Sequence, residues 1–145
     1  MKYVSTRGAA PILGFDDVVL AGLANDGGLY VPQFWPRLSD ENLRAMAQLT
    51  YPALAARVMA PFTMPSIQEP ELRALTGAAY AGFDHPLVAP LKRLQPRLWL
   101  LELFHGPTLA FKDFALQILG RLFDLILARR GERITIVGAT SGDTG

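Results

Sequence analysis

The sequence predicts an α/β protein in which a mostly helical N-terminal lobe is followed by the start of a parallel-sheet βαβ domain. Three observations predict it. Between residues 16 and 80, apolar residues recur at helical spacing in segments separated by prolines and Asn/Asp/Gly turns. From residue 87 the pattern changes to short apolar runs, at 87–91, 98–103 and 133–138. A long apolar segment, 113–130, separates the last two runs, so the order is strand, helix, strand, which calls for a right-handed crossover and parallel strands. The change of character divides the chain into residues 1–82 and 83–145.

Each element has a local reason. Residues 2–6 alternate and are rich in β-formers, which predicts a short strand. Asp16 can cap a helix running to Ala24, and Asn25-Asp26-Gly27-Gly28 ends it as a turn. Residues 29–32 are then expected to be extended. Ser39 can cap a helix from Asp40 to Leu49. Pro52 and Pro70 suit the first turns of helices reaching Ala60 and Tyr80. Pro32, Pro36, Pro52, Pro61, Pro65 and Pro70 are all expected between elements rather than inside them. Tyr30, Trp35, Phe62, Met46 and Met59 read as core. In the second part, residues 87–91 and 98–103 read as strands and 113–130 as a helix with most of its surface covered. Arg129 and Arg130 suit its last turn, and Gly131 suits its C-cap. Arg133 to Gly138 reads as the second parallel strand.

Composition bounds the function. The chain has 145 residues, 50% of them apolar, with a net charge of +1. A chain of this length can bury about 68–70% of its unfolded surface, enough for a real core. The balanced charge speaks against a nucleic-acid surface. With no cysteine, disulfides and thiolate metal sites are excluded. No apolar stretch reaches transmembrane length without charge, and the N-terminus lacks a secretory pattern, so a cytoplasmic location is expected. Because loop composition directly follows the last expected strand, the chain reads as the N-terminal part of something longer.

The chemistry centres on Lys112. Lys2 and Lys92 have terminal or polar neighbours, whereas Lys112 sits between Phe111 and Phe114 at the start of the long helix. A helix N-terminus disfavours a cation by roughly 0.3–1 kcal/mol. That is less than one pKa unit, so any further activation must come from desolvation by Phe104, Phe111 and Phe114. A nucleophilic amine and a snorkelling lysine both fit the pattern. A second loop, Thr140-Ser141-Gly142-Asp143-Thr144-Gly145, combines two glycines with hydroxyls and can offer backbone N–H groups to a carboxylate or small phosphate. It lacks the lysine of a Walker A loop; a capped turn without ligand is the other reading. In a βαβ unit both loops leave the carboxyl edge of the sheet, where ligands bind. An amine and an anion cradle on one edge suit an aldehyde cofactor and an amino-acid carboxylate.

Glu102-Leu-Phe-His-Gly-Pro-Thr-Leu-Ala-Phe-Lys112-Asp113 and Ala139-Thr-Ser-Gly-Asp-Thr-Gly145 resemble the two signature segments of the threonine synthase family. Tyr3-Val-Ser-Thr-Arg-Gly8 and Asp26-Gly-Gly-Leu-Tyr-Val-Pro32 resemble its N-terminal lobe. The resemblance implies a fold-type II enzyme of pyridoxal 5'-phosphate that converts O-phospho-L-homoserine and water to L-threonine and phosphate. It implies that Lys112 carries the cofactor as a Schiff base, with Phe111 and Asp143 beside it. Thr140, Ser141, Gly142, Asp143 and Thr144 would hold the substrate carboxylate, and His105 and Thr108 would shape the substrate pocket. His85 is taken as structural, and His105 as a hydrogen-bonded loop residue is the bland alternative. The cup for the cofactor phosphate is implied to lie downstream. The isolated chain is therefore expected to hold no stoichiometric cofactor, to be inactive, and to self-associate through an uncovered sheet edge. A same-fold phospho-lyase and a non-catalytic lobe that kept the motifs are the competing readings.

Overall fold

The computed structural model describes residues 1–140 and 142. The chain forms two compact units, Met1–Leu49 with Ala53–Ala74, and Thr50–Pro52 with Leu75–Gly145.

The first unit is built on a three-stranded antiparallel sheet with the order β2–β1–β3, from β1 (Lys2–Ser5), β2 (Leu13–Gly14) and β3 (Tyr30–Pro32). Tyr3 and Ser5 face inward from β1, as the two-residue period demands. Tyr3 lies opposite Pro32, and Ser5 opposite Tyr30. Helix α1 (Phe15–Ala21) begins after Gly14, without the side-chain cap expected of Asp16. The turn after it is tied by Asp26. Its carboxylate accepts from the Ser5 hydroxyl at 2.7 Å and from the backbone N–H groups of Ala9, Ala10 and Gly28 at 2.9–3.0 Å. These donors, Ser5 first, hold the Asp26 carboxyl below its ordinary value against a smaller opposing cost of desolvation.

Helix α2 (Asp40–Met46) starts as expected, because the Ser39 side chain accepts from Asn42 N–H at 3.2 Å. Helix α3 (Tyr51–Thr63) runs past its expected end and contains Pro61. The helix tolerates this proline because it falls in the last turn. There the Ala60 carbonyl accepts from Met64 N–H and from the Thr63 hydroxyl, at 3.1 and 3.3 Å. Pro52 and Pro70 fall in the first turns of α3 and α4 (Glu69–Tyr80), and Pro32 falls in β3, so these prolines also lie within elements. Met46 is buried, whereas Trp35 is 70% exposed, with the Phe62 ring edge-to-face to it at a centroid distance of 6.4 Å. Trp35 is thus not the core residue the sequence suggests.

The second unit contains the C-terminal half of α4, a hairpin of β4 (Leu91–Gln95) and β5 (Leu98–Leu101), and helix α5 (Asp113–Arg130). α5 has the expected bounds. Gly131 caps it in the left-handed region at φ 66°, and Arg129 and Arg130 occupy its last turn. Burial is narrower than expected. Ile118, Leu122 and Ile126 form one fully buried stripe, while Ala115 and Leu116 are exposed.

The sheet differs most from expectation. Residues 87–90 form a turn: Pro86 and Pro90 cannot donate, and Val88 N–H reaches back to His85 O at 2.8 Å with φ 61°. β5 pairs with β4 antiparallel, with Leu91 opposite Leu101 and Lys92 opposite Leu100. Residues 133–138 belong to no strand among the described residues. A strand exists only by pairing, and these residues have no partner strand, with Ile136 and Val137 left open to solvent. The described fold is mixed α/β, and the only pairings in it are antiparallel.

Candidate functional site

The loop between β5 and α5 carries most of the residues singled out by sequence, and each is held by a specific contact. Asp113 opens α5, where a carboxylate is favoured by the helix dipole. It is 1% exposed. Thr108 donates to it twice, from N–H to Oδ2 at 2.8 Å and from its hydroxyl to Oδ1 at 2.9 Å. Gly106 packs directly on it. A Cβ on Gly106 would meet Asp113 Cβ at 2.5 Å and Cγ at 2.7 Å, so only glycine permits this approach. The Thr108 hydroxyl is thus the donor of one half of this internal lock.

His105 sits one residue upstream with both ring nitrogens engaged. Nδ1 lies 2.8 Å from Asp84 Oδ1, and Nε2 lies 2.9 Å from Glu102 Oε2. The side chain is only 14% exposed. Asp84 N–H also donates to His105 O at 3.0 Å, so the two residues are clipped at backbone and side chain. His105 is held above the ordinary imidazole value. The Glu102 carboxylate is the main cause, desolvation opposes it, and Asp84 adds to it. His85 stacks on His105 at 4.9 Å, and its Nδ1 accepts from Leu87 N–H at 3.1 Å, a structural role as expected.

Lys112 is the last residue before α5, with its carbonyl accepting from Ala115 and Leu116 N–H. It borders a cleft of about 460 Å³ lined by Tyr51, Leu103, Phe111, Phe114, Ala115 and Leu116. The lining is apolar apart from Lys112 and the Tyr51 hydroxyl. The aromatic cover differs from that inferred from sequence, because Phe104 and Phe111 are 50% and 63% exposed. Tyr51 and Phe114 line it beside Phe111, and both belong to an edge-to-face cluster in which Tyr51 meets Tyr80 at 4.9 Å and Phe83 meets Phe114 at 5.0 Å. Tyr80 donates to Phe114 O at 3.0 Å, and its hydroxyl is pushed up to about 12, by burial first and by Tyr51 second.

In the second predicted loop, Gly142 N–H donates to Thr140 Oγ1 at 3.2 Å, and Gly142 has φ 118°, open to glycine alone. Ser141, Asp143 and Thr144 lie outside the described residues, so the expected meeting of the two loops does too. Sequence reasoning missed Tyr51 and Asp84, both distant along the chain from the residues they serve. Glu102 stands at i,i+3 from His105, and that spacing was the available signal.

Residues 2–80 match the family described as threonine synthase N terminus. The chain is 58% identical over its whole length to a threonine synthase of Pseudomonas aeruginosa, of which it covers 31%. It is 45% identical to a threonine synthase of Schizosaccharomyces pombe, covering all of this chain and 30% of that protein. Among solved structures, pyridoxal-phosphate-bound threonine synthase from Brucella melitensis superposes with a TM-score of 0.96 at 54% identity, over 99% of this chain and 31% of that one. The chain thus spans just under a third of the length of these relatives.

Proposed function

The chain belongs to the threonine synthase family, and on that premise we propose that it carries the lysine-bearing part of an enzyme that makes L-threonine and phosphate from O-phospho-L-homoserine and water. The observation that carries the reading is the placement of Lys112 on an apolar cleft at the start of α5. The donor set suits pyridoxal 5'-phosphate: one primary amine for an aldehyde, and apolar walls for a planar ring. When bound, that group supplies an aldehyde for covalent capture of amines and a ring that draws electrons from the substrate's α carbon.

The remaining work falls to the chain's own residues. Lys112 Nζ anchors the cofactor and moves protons at the substrate's Cα and Cβ. Phe111, Leu103 and Phe114 exclude water around that amine. Thr140, Ser141, Gly142, Asp143 and Thr144 would hold the substrate carboxylate, and Asp143 would also serve the cofactor. The reading places residues 1–82 in a supporting lobe and 83–145 in a fold-type II cofactor domain, whose parallel sheet would be completed in a chain of the relatives' length. The same length gives room for a cofactor-phosphate cup. The exposed leucines and Trp99 of β4 and β5 suit cover by such additional protein, or by a second copy. No helix among the described residues is long and apolar enough to cross a membrane, in keeping with a cytoplasmic biosynthetic enzyme.

The test is chemical. A protein of the relatives' length that carries these residues is incubated with pyridoxal phosphate, reduced with borohydride and mapped by peptide mass; phosphate release from O-phospho-L-homoserine is followed in parallel. Label on Lys112, lost in Lys112→Ala together with turnover, is the expected result. Label spread evenly over Lys2, Lys92 and Lys112 would refute the assignment.

A further inference from the structure

The lysine loop is tied at one further point that neither the motif nor the chemistry at Lys112 uses. His105 is pinned between two carboxylates from separate parts of the second unit. Asp84 comes from the turn after α4, and Glu102 from the residue just past β5. A neutral imidazole has one N–H and one lone pair. It can donate to one carboxylate only, and its other nitrogen would then face an anionic oxygen lone pair to lone pair at under 3 Å. Both contacts are attractive only when both nitrogens carry protons. The geometry therefore specifies a charge state.

We infer that His105 is a positioning residue, held as an imidazolium by Glu102 and Asp84, and that this clip fixes the loop presenting Lys112. The mechanical path is short. His105 is bonded to Gly106, Gly106 packs on Asp113 within van der Waals distance, Asp113 holds Thr108, and Lys112 precedes Asp113. Clamping His105 at the upstream end and Asp113 at the downstream end leaves the segment between them little freedom. Both polar ends of the imidazole are consumed, so a substrate-binding role for His105 would require breaking a contact at 2.8 or 2.9 Å. The titratable groups found against its ring are Asp84, Glu102 and His85, and the Phe104 ring packs at 4.7 Å.

The pH sense follows. The imidazole value is raised by folding, so the clip contributes fully below the ordinary value of 6.5 and is lost as pH rises through the raised one. The relay from clip to Lys112 matters for catalysis only under the cofactor reading above, but the clip itself does not need it.

The test therefore uses two readouts that are independent of cofactor. The protein contains only two histidines, so nitrogen-15 spectra of the imidazoles are assignable with His85→Gln. His105 should keep both nitrogens protonated above the ordinary value of 6.5, and Glu102→Gln or Asp84→Asn should shift its titration to lower pH. Amide hydrogen exchange over residues 108–116, corrected for intrinsic rates, should accelerate on the order of tenfold in either variant. It should accelerate in the wild type as pH rises through the His105 titration. Unchanged protection at Leu122 and Ile126 shows that α5 stays folded. A His105 that titrates at or below the ordinary value of 6.5, or wild-type exchange over 108–116 in both variants, would overturn the inference. Absence of a pyridoxal phosphate adduct on Lys112 in a protein of the relatives' length would count against the cofactor reading alone.

Discussion

Replacing Gly106 with alanine should destabilise the second unit sharply, although it adds a single methyl group. The new Cβ would lie 2.5 Å from Asp113 Cβ and 2.7 Å from its Cγ. Asp113 cannot swing aside cheaply: its Cβ is fixed to the first turn of α5, it is 1% exposed, and its two oxygens are held by Thr108. Overpacking of this kind costs about 1–3 kcal/mol. If Asp113 yields, one hydrogen bond to a carboxylate is also lost, worth about 1.5–3 kcal/mol. The sum is roughly 2.5–6 kcal/mol, a large share of a typical domain's stability. Gly120 provides the internal control. It lies in the same helix with nothing within 4 Å of a built Cβ, so Gly120→Ala should stabilise by about 0.5–1 kcal/mol through helix propensity. Urea unfolding followed by far-ultraviolet circular dichroism measures both. A Gly106→Ala midpoint at or above that of the wild type would refute the packing argument, and the mechanical path from His105 to Lys112 with it.

Two further outcomes test the frame around the site. Ile126→Ala removes a fully buried side chain from the inner stripe of α5 and should cost about 2–5 kcal/mol in the same urea assay. Asp26 is held below its ordinary carboxyl value, so the stability it contributes is present above about pH 4 and lost as pH falls through its lowered value. Asp26→Asn should therefore unfold at lower urea than wild type at pH 6, with the gap closing towards pH 3, and a constant gap across that range would count against the ionic knot.

How far the sequence foretold this arrangement depends on how local the causes are. α5 could be read from residues 113–131 because its period, its terminal arginines and its capping glycine all lie within the element. The Ser39 cap and the Asp26 turn were readable for the same reason. The hairpin was not. A leucine-rich run looks alike in parallel and antiparallel sheets, and the turn at Pro96-Arg97 lacks the Asn-Gly or Asp-Gly signal of a two-residue hairpin loop. The setting of Lys112 was misread in one respect. Phe104, Phe111 and Phe114 were all expected to cover it, but Phe104 does not line the cleft, Phe111 is 63% exposed, and Tyr51 lines the cleft from far upstream. Asp84 was invisible in the same way, because nothing near residue 84 announces residue 105.

The loop from Glu102 to Asp113 divides its residues between two tasks. Glu102, His105, Gly106, Thr108 and Asp113 are committed to one another or to Asp84. Leu109 and Phe111 are exposed, and Lys112 borders the cleft. Leu109 also has φ 63°, a left-handed conformation that costs a non-glycine residue on the order of 1–3 kcal/mol. Its N–H closes a turn onto Gly106 O at 3.0 Å, directly beneath the Asp113 lock. Strain of this size persists only where the surroundings over-determine the backbone, and the contacts of Thr108 and Gly106 with Asp113 do so here. The side chains of Glu102, His105, Thr108 and Asp113 thus hold the shape of the loop. A segment that satisfies itself internally restricts the backbone from which Lys112 projects, and such preorganisation is what the proposed role of that amine would draw on.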